Sequence, residues 1–259
     1  MIVSAPFEDR AVLPDKIRLA MFTPMPLCHA AGVTALLDGL TADARFAPTH
    51  LGENERCRQE YVRADMIAAV GEYPPDHYLP GIARRKAIPY AGYFNADASA
   101  AQGVHLDFPA ITSEAEVTAV FALGRALAAQ LRPLFGYVHP VWLGKGQEYN
   151  VAGRLDANEF REFGPRSLCA RTWLGPHLVG LLGRERLAAS VSMIEDTPGG
   201  GVQIDLLPEV WTHDITTLEP ARVRGMAALA DAEVFGDFTV SRRYKSGRRW
   251  ECPPAEAIT

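Results

Sequence analysis

The stretch that most limits the fold is Thr197-Pro198-Gly199-Gly200-Gly201. It separates two apolar runs, Ala189–Ile194 and Val202–Leu207. Turn residues of this kind between two strand-like runs predict a hairpin. Proline pre-sets one backbone angle, and glycine reaches positive φ without a steric cost. A hairpin puts an antiparallel pair into the sheet, and the rest of the chain intersperses strand-like runs with helical patterns. The expected fold is therefore α+β: a single domain over residues 1–259, with a mixed or antiparallel sheet packed by helices. A doubly wound parallel sheet is disfavoured.

The remaining elements follow from periodicity. Ile17–Phe22, Ile88–Phe94, Val104–Phe108 and Tyr137–Leu143 read as strands, the last with Pro140 as the mark of an edge or a bulge. Leu27–Ala44, Glu60–Val70, Asp156–Phe163, Leu174–Leu182 and Pro220–Ala232 read as helices, and Arg184–Ala189 adds a turn. The clearest helix begins after Thr112-Ser113. It carries Val117, Val120, Phe121, Leu123, Leu127 and Leu131 as an apolar stripe and stops before Pro133. Tyr73-Pro74-Pro75-Asp76 ends the second helix, and the region from there to Lys86 reads as loop. Residues 251–259, with Pro253 and Pro254, read as a frayed tail.

Composition matters mainly through charge. The 259 residues carry 26 Lys and Arg against 31 Asp and Glu, a net charge of −5, with 48% hydrophobic residues. That balance excludes a disordered chain, and it argues against a dedicated nucleic-acid binder. The charge is unevenly spread. Glu195, Asp196, Asp205, Glu209, Asp214 and Glu219 fall between Leu187 and Ala221, where Lys and Arg are absent. Arg242, Arg243, Lys245, Arg248 and Arg249 fall between Phe238 and Trp250, where acids are absent. One stretch is thus −6 and another +5. The acidic stretch is either a solvated surface or a docking site, and the two segments have the option of neutralising each other. No apolar run reaches the roughly 20 residues a membrane span needs, and MIVSAPFEDR does not read as a secretory leader. A cytoplasmic protein with no membrane partner is expected, and Cys28, Cys57, Cys169 and Cys252 are expected as free thiols.

Catalytic patterns are sparse. His105 and Asp107 form an H-x-D on a predicted strand and would face the same side. Cys28-His29 lies near a predicted helix start, where a thiol pKa would fall, but adjacent helical residues point about 100° apart. Leu143-Gly144-Lys145-Gly146-Gln147 lacks the length and hydroxyl of a phosphate loop and reads as a turn. Asp156, Glu159 and Glu162 read as solvated helix carboxylates. The basic segment 242–249, with Tyr244 and Trp250, has the composition of a weak stacking surface or of a solvated tail. No catalytic, metal or cofactor set is expected.

One stretch carries a family likeness. Gly164-Pro165-Arg166-Ser167-Leu168 leads into Cys169-Ala170-Arg171-Thr172-Trp173-Leu174-Gly175-Pro176-His177-Leu178-Val179. Leu181-Leu182-Gly183 and the hairpin closing on Leu206-Leu207-Pro208 follow. A tryptophan, a G-P-x-L-V-x-x-L-G helix and a hairpin ending L-x-P resemble the immunity protein 52 family of polymorphic and type VI secretion toxin systems. The resemblance spans residues 164–208. It implies a non-catalytic protein that binds and neutralises one cognate effector, with a restriction-endonuclease-like nuclease as the expected toxin. Trp173 and Leu178 are expected in the core in either case. An acidic surface would steer association with a basic nuclease cleft. The expected docking residues are Glu195, Asp196, Glu209, Asp214 and the aromatic Trp211. The rival functions are a small-molecule hydrolase using Cys28 or His105/Asp107, and an adaptor or scaffold for a secretion component.

Overall fold

The computed structural model describes residues 13–53, 56–72, 80–95, 101–144, 147–149, 155–240 and 243–254. At its centre lies β1 (Lys16–Thr23), flanked by β6 (Gln102–Phe108) and β7 (Phe135–Gly144). Beyond β6 come β5 (Tyr90–Phe94), β4 (Pro80–Arg84), β2 (His50–Glu53) and, at the edge, β3 (Arg56–Glu60). Beyond β7 come β9 (Arg171–Leu174), β11 (Val202–Asp205) and the opposite edge, β10 (Met193–Asp196). A short strand, β8 (Gln147–Tyr149), pairs with the far end of β7. Every pairing is antiparallel, so the sheet is antiparallel and the fold α+β.

The period of two along β1 sorts its side chains into two cores. Ile17, Leu19 and Met21 point to one face. There they meet α1 (Ala30–Thr41), α2 (Arg63–Glu72) and α3 (Glu114–Leu131), which supply Leu36, Leu37, Met66, Val120 and Leu127. Ala20 and Phe22 point to the other face. It is covered by α4 (Ala157–Phe163), α5 (Pro176–Leu182), α6 (Arg184–Ser190) and part of α7 (Ile215–Leu229). Phe22, Phe135 and Phe160 stack there, with centroids 4.7–6.1 Å apart. Complete burial of each such ring contributes about 1.5–3 kcal/mol.

Several expectations hold in detail. The Ser113 hydroxyl accepts from the Glu116 amide and caps α3. Asp156 and Glu159 form a reciprocal capping box on α4. This corrects their reading as merely solvated: each satisfies a backbone N–H that the helix leaves orphaned. The hairpin is β10–β11, joined through Thr197–Gly201, with Gly199 and Gly200 at φ 92° and 84°.

Other expectations need correction. Glu60 belongs to edge strand β3, and α2 starts at Arg63. The region read as loop contains β4; Tyr73–Asp76 lie outside the described residues. Arg171–Leu174 form a strand, and α5 starts only at Pro176. Ala189 ends in α6, so the hairpin's first strand starts at Met193. α7 starts at Ile215, behind Asp214 as its cap, and Pro220 sits inside the helix on its exposed side. Water can reach the carbonyl freed there, which lowers the cost of an interior proline. Pro140 lies in a strand with neighbours on both sides. It falls, however, between the stretch of β7 paired with β9 and the stretch paired with β8. The ladder on that side is interrupted there, as a proline requires. Gly144 and Gln147 face each other across a hairpin end, consistent with a turn; Lys145 and Gly146 lie outside the described residues.

Candidate functional site

The acidic stretch divides by burial. Asp205, on β11, stands opposite Arg171 on β9, and both are buried. The guanidinium grips the carboxylate at both ends, Nε to Oδ1 at 2.7 Å and Nη2 to Oδ2 at 2.6 Å. Arg171 also donates to the Phe121 carbonyl and lies 5.4 Å from the ring centres of Phe121 and Trp211. Asp205 is therefore a core ion pair and not surface charge.

The other acids are nearer to water, and four of them have partners. Glu195 on β10 pairs with Arg125 of α3 at 3.0 Å, and Asp196 with Arg184 of α6 at 2.5 Å. Glu219 is gripped by Arg222 one turn along α7. Asp214 caps α7, accepting from the amides of Thr216 and Thr217. Partial burial pushes its carboxyl pKa up, but these hydrogen bonds and those from the two threonine hydroxyls outweigh it and hold it below the usual range. Glu209 is exposed at φ 45°, and its side chain makes no hydrogen bond or ion pair with the described residues. The acidic stretch is thus largely neutralised, by Arg125, Arg171, Arg184 and Arg222. None of these belongs to the basic segment.

That segment folds inward. Trp250 is 8% exposed, packs 5.0 Å from Phe160, and donates its indole N–H to the Arg161 carbonyl. Tyr244 packs against Phe163 and Phe238. Both rings are packing residues, so the segment is neither a stacking surface nor a wholly solvated tail. Arg248 pairs with Glu233; Arg242 lies outside the described residues. The Glu251 carbonyl meets His177 Nε2 at 2.9 Å and Cys252 packs on the second core, so this part of the expected frayed tail is tied down; 255–259 lie outside the described residues.

Two of the five expected docking residues reach one helix, α3. Glu195 reaches α3 at Arg125, and Trp211 reaches it at Phe121, one turn away, with ring centres 6.1 Å apart. Glu209 and Asp214 flank the short 3₁₀ turn Val210–Thr212 that carries Trp211. Trp211 is half-buried, with one side on Phe121 and Arg171. Asp196 leans away toward α6.

The catalytic candidates are engaged otherwise. His105 and Asp107 do share a face of β6. Asp107 is held by Arg18 at 3.0 Å, with Lys16 at 4.0 Å. His105 packs between Phe22 and Tyr93. Cys28 is partly buried against the first core, His29 is exposed, and no hydrogen bond joins them. Among the described residues, no three His, Cys, Asp or Glu converge as metal ligands, and no helix is long and apolar enough to cross a membrane.

Sequence reasoning passed over His139 and Arg132. His139 Nδ1 accepts from the Ala170 amide at 3.1 Å. Burial, with Arg222 and Arg18 nearby, pushes its pKa down to about 3, so the ring is neutral. Arg132 ends α3 in the left-handed conformation at φ 46°, a place that favours glycine. Its signal in the sequence was its position, between the last apolar residue of the stripe and Pro133.

No protein-family model and no curated protein matches the sequence. In fold, the chain is similar to the Pseudomonas aeruginosa T6SS protein PA0821. The TM-score is 0.53 and the identity 16%, over 85% of this chain and 78% of the other. At that identity the likeness is one of fold.

Proposed function

We propose that this chain is a non-catalytic immunity protein of a type VI secretion toxin system. It acts in the cytoplasm by stoichiometric binding of one cognate effector, a nuclease of the restriction-endonuclease-like class. The observation that carries this reading is the fold shared with a type VI secretion system protein of Pseudomonas aeruginosa. The helix–hairpin segment over residues 164–208 supports the finer assignment to immunity proteins, and Trp173 and Leu178 are core residues within it.

The docking face on this reading meets α3 at Glu195 and Trp211, with Glu209 and Asp214 flanking the turn that carries Trp211. Its electrostatic contribution is modest. Glu195 and Asp196 already have arginine partners, so steering by free charge falls mainly to Glu209 and Asp214. Trp211 supplies the aromatic anchor, held in place by Phe121 and Arg171. Direct nucleic-acid contact has no part in the mechanism: the effector is engaged as a protein surface.

Co-expression with the toxin encoded beside the gene tests the proposal. Cells carrying both should survive, and the two proteins should co-purify in equimolar amounts. Continued killing with no complex would reject it. Capture of a secretion component in place of the toxin would favour the adaptor reading.

A further inference from the structure

Where the β10–β11 hairpin meets the end of α3 there is a cleft of about 170 Å³. Three further connections close it: β1 to α1 at Pro24, α3 to β7 at Arg132–Leu134, and β9 to α5 at Gly175-Pro176. The floor is apolar, with Leu134, Leu174 and Trp173. The rim is stiff. Pro24, Pro133, Pro176 and Pro198 line it, and fixed φ angles leave prolines little freedom to lose on binding.

Hydrogen bonds lock the walls to one another. The Thr23 hydroxyl donates to the Leu131 carbonyl at 2.5 Å, the Leu134 amide to Phe22 at 2.7 Å, and the Gly175 amide to Leu134 at 2.8 Å. The hairpin loop closes on itself through the Thr197 amide and the Gly201 carbonyl at 2.9 Å. Gly201 packs so closely that an added Cβ would stand 2.5 Å from the Leu174 carbonyl.

One cation lines this cleft. Arg132 is exposed and makes no ion pair with the described residues. Its stem runs beside the hairpin loop, 3.9 Å from where a Cβ on Gly199 would sit. The nearby carboxylates of Glu195 and Asp196 are taken by Arg125 and Arg184. Arg132 also sits in a left-handed conformation that costs a non-glycine residue free energy, where glycine would be the ordinary solution.

Size limits the occupant to a small group. Small-molecule and cofactor pockets run to about 300–1,000 Å³. This cleft has room for one side chain. A guanidinium takes a carboxylate or a phosphate, and the apolar floor beside this one favours a carboxylate carried on an aliphatic stem. We infer that this cleft receives a single glutamate side chain of a protein partner, its methylenes on Leu134 and Leu174 and its carboxylate on Arg132. The partner is the cognate toxin, so this inference rests on the proposed function. It adds a cationic anchor point beside the acidic face and makes the interface mixed in charge.

The test has two arms. In the first, N-acetylglutamate is titrated into the full chain and backbone amide NMR signals are followed. Gly175, Gly199 and Gly201 should shift with millimolar saturation. N-acetylglutamine should shift them at least tenfold more weakly, and Arg132→Gly should abolish the effect. Arg132→Gly also relieves the left-handed strain, so its thermal midpoint should equal or exceed that of the parent, and loss of binding is then not loss of fold. Absence of saturation, or equal shifts with both probes, overturns the inference. In the second arm, affinity for the neighbouring toxin is measured for the parent, Arg132→Gly, Arg132→Glu and Pro198→Trp. Ten- to a hundredfold weakening in all three variants supports the cleft. Unchanged affinity in all three overturns it and leaves the immunity reading standing. Saturation by N-acetylglutamate with no toxin binding by the parent supports a carboxylate site and rejects the proposed function. Self-association of the chain that Arg132→Glu abolishes would make a second copy the occupant and overturn the choice of partner.

Discussion

Asp205 and Glu195 lie ten residues apart in one acidic stretch, on the two strands of one hairpin, yet they are different kinds of charge. Asp205 is 1% exposed and bound at both oxygens by a buried guanidinium. Glu195 is partly exposed and holds Arg125 through one oxygen in solvent. A run of −6 in sequence therefore does not become a −6 surface. β11 is buried along its whole length, which places Asp205 in the interior, and Arg125, Arg184 and Arg222 meet three of the other five acids. Removing a partner from a buried pair strands a charge in a medium that solvates it poorly. Removing one from an exposed pair lets water take its place.

The largest effect should come from the buried member. Asp205→Ala should cost about 3–5 kcal/mol by denaturant unfolding, since it leaves Arg171 buried and uncompensated. Adding Arg171→Met should recover much of that loss. A cost under about 1 kcal/mol would remove the distinction between the two acids.

His139 sharpens the comparison by pH. Its native pKa of about 3 lies below the ordinary 6.5, so the unfolded chain binds the proton more readily. Stability should fall as pH drops below 6.5 and level off near 3, by up to about 1.4 kcal/mol per pH unit at the steepest. His139→Asn should flatten that slope relative to the parent in urea unfolding at pH 4, 5 and 7. Identical slopes would show that the ring is protonated in the fold.

Asp214→Ala should cost about 1 kcal/mol through loss of the α7 cap. The parent should also lose stability on acidification, because the depressed carboxyl pKa confers stability that is present above the ordinary value and lost as pH falls through the native one. The smallest effect belongs to the hairpin surface. Glu195→Gln and Asp196→Asn should each stay within about 0.5 kcal/mol of the parent, and any difference should shrink further in high salt. A cost above 2 kcal/mol in either would place these residues in the core's class.

What was legible in the sequence follows the same division between inside and outside. α3 was legible because its stripe is long and its cap and stop are explicit in Ser113 and Pro133. The hairpin was legible from Pro198 and Gly199–Gly201. β3 was not, because an edge strand buries only Cys57 of its five residues and so shows no alternation. β9 was hidden for the opposite reason: all four of its residues are buried, and a short continuous run does not separate strand from helix. Of the site, the type of residue was readable and the pairing was not. Arg125, Arg171 and Arg184 come from three elements that only the folded sheet and its helices bring to Glu195, Asp205 and Asp196. Arg132 gave even less sign, since its left-handed backbone has no compositional mark beyond the proline that follows it.

The central claim is stoichiometric neutralisation of a toxin. Its most direct test is titration of the purified chain into the purified neighbouring toxin, with nuclease activity and complex mass followed together. The account predicts that activity falls linearly to zero at one equivalent, as a 1:1 complex accumulates. Undiminished activity at a tenfold excess of this chain, with no complex formed, would contradict it.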